Sequence, residues 1–304
     1  MNRPVVATLG QEQADAAPAG GAVDGEARAR ALYDLERTTV FACRRDPRFS
    51  YCLYVPPAVG RGGEAPELVV AMHGTGRTFT AYRDAMAEFG RWNNCIVLAP
   101  LFPVGVLGDG NRNGYKYMQE GDIRYDRVLL AMVEEVGERY GCAFERFALF
   151  GYSGGGHFTH RFLILHPERL WAASVGAPGS VTLLDPERDW WVGVRNIGAL
   201  FGRDLDLAAM RQVPVQMVVG AADLETWEIT HQPGGRHWME GANDAGRTRP
   251  ERLASLRRSF EAAGIPVRFD LVPNTAHDGQ RCLAPVKDFF AAVLRERRAA
   301  ARQA

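Results

Sequence analysis

From about residue 38 onward, short apolar runs alternate with stretches in which apolar residues recur every three or four positions. Continuous apolar runs of four to eight residues fit strands covered on both faces, and the three-to-four spacing fits the helices that cover them. The first part of the pattern differs. Thr38–Cys43 and Tyr51–Val55 are separated by the polar stretch Arg44-Arg45-Asp46-Pro47-Arg48, which predicts an antiparallel hairpin. Strands are then expected over Glu67–His73, Cys95–Ala99, Arg146–Phe150, Leu170–Val175, Val213–Val219 and Val267–Val272. Helices are expected at about 82–92, 124–140, 154–165, 250–263 and 285–298. This alternation predicts an α/β fold with a mainly parallel sheet and helices on both faces.

Three segments fall outside the alternation. Residues 100–122 are rich in Gly and Asn and read as a long loop, a length that often carries function. Residues 177–212 and 224–249 follow expected strands and read as insertions that form a small cap within one domain over 29–304. Residues 1–28 are rich in Ala, Gly, Gln and Asp and read as a disordered tail without a secretory signature, so a cytoplasmic protein is expected. No run is long enough to span a bilayer.

Composition narrows the partners. Lys plus Arg and Asp plus Glu each number 36, so no global field favours nucleic acid or a membrane surface, and a small-molecule substrate is expected. The oligomeric state stays open. The five cysteines show no CxxC spacing, which argues against a disulfide framework and a zinc knuckle. Cys43 and Cys52 flank the turn of the first hairpin and are read as reduced, with a disulfide between them left open.

Candidate chemistry begins at Gly151-Tyr152-Ser153-Gly154-Gly155, a G-x-S-x-G pattern set between an expected strand and an expected helix. A serine on so sharp a turn needs positive φ, and the flanking glycines let strand and helix approach. The following helix points free N–H groups at the serine, where they can stabilise an oxyanion. A second donor is expected from the loop after an earlier strand. His73-Gly74-Thr75-Gly76 supplies it, with the Thr75 N–H paired to that of Gly154 and His73 in a structural role. Asp223, ending the strand after the first insertion, is the expected carboxylate, with Glu225 as an alternative. His277, after the last strand, is the expected general base, and Asp278 a turn residue.

Ser153, Asp223 and His277, in this order with His73-Gly74-Thr75-Gly76, resemble the α/β-hydrolase superfamily from about residue 37 to the C-terminus. Within it, the strand leading to His73-Gly74 and the run Gly151-Tyr152-Ser153-Gly154-Gly155-Gly156 resemble the polyhydroxybutyrate depolymerase and feruloyl-esterase-like group. The resemblance implies hydrolysis of a carboxylic ester through an acyl-enzyme. A peptidase or amidase on the same triad, and an inactive ligand-binding scaffold, remain alternatives.

The aromatic residues Tyr115, Tyr117, Trp190, Trp191, Trp227 and Trp238 lie on loops after strand ends. Converging over Ser153 they would form an aromatic pocket, with Tyr117, Tyr152 and Trp227 as substrate-binding candidates. The equal alternative is that they anchor the insertions. His157, His160 and His166 lack an HExxH pattern or a matching carboxylate and are read as packed or surface residues, so no metal is expected. His231 and His237 are further candidates for substrate contact. No feature demands a nucleotide, flavin or other cofactor.

Overall fold

The computed structural model describes residues 21–60 and 64–303. Eight strands make one sheet: β1 (Glu36–Ala42), β2 (Ser50–Val55), β3 (Glu67–Met72), β4 (Cys95–Leu101), β7 (Phe147–Tyr152), β8 (Leu170–Gly176), β9 (Val215–Gly220) and β10 (Val267–Val272). Their order is β1-β2-β4-β3-β7-β8-β9-β10. Only β1–β2 and β2–β4 are antiparallel, as the opening hairpin pattern predicts, and the other pairings are parallel. A two-stranded ribbon, β5 (Gln119–Glu120) and β6 (Ile123–Arg124), closes the long loop.

The helices are α1 (Gly21–Tyr33), α2 (Phe79–Asn93), α3 (Tyr125–Tyr140), α4 (Gly154–Leu165), the short α5 (Ile197–Phe201) and α6 (Leu207–Met210), α7 (Arg249–Ala262) and α8 (Leu283–Ala301). Strand alternation assigns their faces. On β2, Tyr51 points its hydroxyl at Glu135 of α3, 3.4 Å away, whereas the ring of Tyr54 lies against Gly90 of α2. On β7, Phe147 meets Phe162 of α4 at 5.8 Å between ring centroids and Phe150 meets Tyr82 of α2 at 5.9 Å. So α3 and α4 share one face, and α2 and α8, joined through Phe89 and Phe290, share the other. β3, β7, β8 and β9 are buried almost throughout, which is why they read as unbroken apolar runs.

One expectation changes. The tail expected to be disordered over 1–28 is helical from Gly21, because Ala, Glu and Arg dominate this stretch and favour helix. Its end is fastened where the Tyr140 hydroxyl donates to the Asp34 carbonyl at 2.7 Å. Residues 1–20 lie outside the described residues. Cys43 and Cys52 do not face each other: Cys52 pairs with Val40 across the hairpin, the N–H of Cys43 bonds the Phe49 carbonyl, and all five cysteines are free.

A buried hydrogen-bonded cluster ties the start of α3 to the end of α4. The side chain of Asp126 is fully buried, takes two hydrogen bonds from Arg124 at 3.0 and 2.7 Å, and lies 2.8 Å from His166 Nε2. Burial works to raise its pKa, but the bonds from His166 and Arg124 outweigh it and hold the carboxyl at about 2. The contribution is therefore present above the ordinary aspartate value and lost as pH falls toward 2. Asp126→Asn is expected to cost about 3–5 kcal/mol of unfolding free energy in a urea titration at pH 7.

Candidate active site

The carboxyl ends of the parallel strands carry the residues singled out in the sequence. Ser153 sits between β7 and α4 with φ 56° and ψ −116°, a strained conformation for a residue with a side chain. The glycines make the turn possible. A Cβ on Gly151 would collide with the Gly155 carbonyl, and one on Gly155 would come within 2.5 Å of the Met72 carbonyl. The first N–H groups of a helix have no partner within it, and α4 begins directly after Ser153.

His73 shapes the loop after β3. It is fully buried, its Nδ1 lies 2.8 Å from the Gly74 carbonyl, and its Nε2 accepts the Phe102 N–H at 3.0 Å. The accepting Nε2 fixes the neutral form protonated at Nδ1. Burial lowers its pKa to about 3. The loop so held brings the Thr75 backbone nitrogen within 3.0 Å of where a Cβ on Gly154 would stand.

Asp223 and His277 are brought together by their turns. The N–H groups of Ala221 and Ala222 donate to the carbonyls of Val272 and Thr275, each at 2.8 Å, lacing the ends of β9 and β10. His277 Nδ1 is 2.6 Å from Asp223 Oδ2. Asp223 is 1% exposed, and its other oxygen accepts from Arg249 at 3.1 Å, whose second terminal nitrogen reaches Glu228 at 2.7 Å. Glu225, the alternative acid, is exposed. Asp278 accepts the N–H groups of Gln280 and Arg281 and is a turn residue. No hydrogen bond joins Ser153 to His277. The imidazole instead lies against Tyr152, the residue before the serine, at 5.2 Å between ring centroids.

A cavity of about 260 Å³ opens over Ser153. Its wall includes Thr75, Lys116, Tyr117, His157, Glu228, His231, His237 and Arg249. As to the two readings of the loop aromatics, Tyr117 and Trp238 do line the cavity, but most of its wall is polar. Tyr117 does line it, stacked on His237 at 4.0 Å. Tyr152 does not: it is buried beneath the site, beside His277 and Cys282. Trp227 is 78% exposed and outside the wall, because its loop turns Ile229 inward in its place. Trp190 and Trp191 anchor the loops, donating to the carbonyls of Tyr117 and His237 at 3.1 and 3.0 Å. His231 and His237 both reach the cavity.

Lys116, Arg249 and Glu228 were not visible as site residues. One signal existed for Lys116: only Lys116 and Lys287 in the chain are lysines, against an arginine-rich background. Among the described residues, no group of three or more His, Cys, Asp and Glu side chains could hold a metal ion. The α4 histidines do other work. His157 Nε2 accepts the N–H groups of Gly179 and Ser180, and His160 Nε2 accepts that of Thr182, so both pin the first insertion to α4.

Strand order, the sharp serine turn and the paired turns after β9 and β10 define the architecture. The chain has the α/β-hydrolase fold. Among solved structures it is similar to poly(aspartic acid) hydrolase-1 from Sphingomonas sp. KT-1, at 20% identity and a TM-score of 0.64, covering 79% of this chain and 92% of that one. A poly(3-hydroxybutyrate) depolymerase from Bordetella parapertussis is 21% identical with a TM-score of 0.65, covering 84% and 88%. A ferulic acid esterase is 15% identical with a TM-score of 0.54, covering 81% and 92%. No family model and no curated protein matches the chain. No helix among the described residues is long and apolar enough to cross a membrane.

His73, His157 and His160 are buried as neutral rings, their pKa values pushed well down by burial. The unfolded chain binds protons at these positions below about pH 6.5 and the folded chain does not, so stability falls with acid. Each is expected to remove about 1.4 kcal/mol per pH unit below that point. Urea titrations between pH 6.5 and 5, where ordinary carboxylates stay ionised, check this; a flat profile contradicts it.

Proposed function

We propose that the protein is a serine hydrolase that cleaves a small carboxylic ester through an acyl-enzyme at Ser153. In this reading His277 Nε2 takes the Ser153 proton during attack and returns it to the leaving alkoxide. Asp223 holds the imidazole in the required tautomer and stabilises its cation. The N–H groups of Thr75 and Gly154 receive the oxyanion. Water, activated by the same histidine, then releases the acid.

The observation that carries the reading is the 2.6 Å contact between His277 Nδ1 and a buried Asp223, at the edge where a strained serine heads a helix. A nucleophile and base that are not yet hydrogen-bonded are common in the free enzyme, and the bond tightens when substrate enters. The remaining parts fit. Tyr152 backs the imidazole, Tyr117 lines the cavity, and the two insertions roof it as part of a single domain. The chemistry calls on no cofactor or metal. Five free cysteines suit a reducing compartment, so we assign the protein to the cytoplasm.

Ser153→Ala is expected to abolish turnover of short p-nitrophenyl esters and labelling by a fluorophosphonate probe. Retention of full turnover by this variant overturns the assignment. Asp223→Asn is expected to lower kcat by about 10⁴-fold while a fluorophosphonate still identifies the same serine, measured on the same esters.

A further inference from the structure

Three cations at or behind the wall of the cavity over Ser153, namely Lys116, Arg161 and Arg252, form no ion pair among the described residues. Arg161 on α4 is fully buried. It donates to Thr182 Oγ1 at 2.9 Å, Ser180 Oγ at 3.2 Å and the Lys116 carbonyl at 2.5 Å, and its guanidinium lies over the rings of Tyr117 and Trp191 at 4.7 and 5.3 Å. Arg252 on α7 is 1% exposed and grips the carbonyls of Gly246, Gly179 and Ile229 and the Asn243 side chain. Neither forms an ion pair among the described residues, and burial lowers the pKa of each to about 10. Both stand directly behind residues of the cavity wall.

Lys116 is the cation that reaches the cavity itself. A Cβ on Gly154 would lie 3.0 Å from the Thr75 nitrogen and 3.1 Å from Lys116 Cε, so the end of the lysine chain runs past the two candidate oxyanion donors. Its Nζ has no hydrogen bond or ion pair among the described residues. The nearest anion acting on it is Glu228, which is already bound to Arg249. The other arginine on the wall, Arg236, is paired with Asp109 at 2.6 Å. Burial lowers the Lys116 pKa to about 8, as expected for an ammonium short of partners.

We infer that the site selects esters whose acyl group ends in a carboxylate, and that Lys116 binds that carboxylate. This rests on the hydrolase reading above and adds the class of substrate. One free ammonium matches a single negative charge, which favours a carboxylate over a phosphate dianion. Its closeness to Thr75 and Gly154 limits the spacer to a few atoms, so monoesters of short dicarboxylic acids are the fitting chemistry. Arg161 and Arg252 add field without contact: they lower the cost of bringing an anion into a partly dry cavity.

The test compares monomethyl succinate with the neutral dimethyl succinate. The wild-type protein is expected to favour the monoester by about 30-fold in kcat/KM, the worth of one charge-assisted hydrogen bond in a sheltered site. Lys116→Met is expected to remove most of that ratio. Equal rates for the two esters in the wild type overturn the inference without recourse to any variant. So does a Lys116→Met variant that slows both esters by the same factor and keeps the ratio, which would assign the lysine to the oxyanion. Binding separates this inference from the hydrolase reading, because it needs no chemistry. By calorimetry, Ser153→Ala is expected to bind monomethyl succinate at least about 30-fold more tightly than dimethyl succinate, and equal affinity overturns the carboxylate site even if ester turnover stands.

Discussion

A carboxylate sealed from water is the constraint on which this site is built. Asp223 is 1% exposed, and a lone charge so placed would cost several kcal/mol. Two partners from distant parts of the chain meet the need: His277 on one oxygen and Arg249 on the other. With both oxygens engaged, the carboxylate cannot rotate, and the direction of the imidazole is set by it. Arg249 stands at the first position of α7, whose start is fixed by reciprocal bonds between Thr248 and Glu251. The orientation of a histidine after the last strand thus depends on the cap of a helix that precedes that strand.

Backbone geometry does the rest of the positioning. The turns after β9 and β10 are laced by two main-chain hydrogen bonds, and Asp223 and His277 meet across them at 2.6 Å. The serine turn gains its height in another way, by accepting positive φ at Ser153 between glycines that permit backbone contact. Strain at the serine and order at the two turns are complementary. A side chain lifted by strain is useful only when its partners are held where it arrives.

Most of the frame was legible in the chain because a parallel sheet buried on both faces leaves apolar runs, and such runs are local. The hairpin of β1 and β2, the strands β3, β4, β7, β8, β9 and β10 and the glycine-flanked serine all announce themselves within a few residues. Asp223 and His277 were legible for a related reason: they follow strand ends, where this topology gathers side chains. The wall of the cavity was legible only in part: Thr75, Tyr117, His231, His237 and Trp238 line it, but its charged members Lys116, Glu228 and Arg249 were missed. Tryptophans on loops suggested an apolar pocket, yet Trp190 and Trp191 turn inward to tie loops together and Trp227 turns outward. Nor does any pattern mark Arg161, Arg252 or Arg249 as buried, since what buries an arginine is a set of carbonyls contributed by remote loops. The helix from Gly21 was missed because its Ala- and Gly-rich surroundings outweighed the helix-forming residues within it.

The grip of Arg161 and Arg252 on main-chain carbonyls has a mechanical consequence. Arg161 is rooted in α4 and Arg252 in α7, while the groups they hold belong to the loops above the cavity. Raising those loops would strip two guanidinium ions of their acceptors inside a low-dielectric interior, at a cost no single loop contact recovers. The roof is therefore a bolted one. The loops over the cavity are fastened to α4 and α7 through two buried charges, and any displacement of those loops carries that cost.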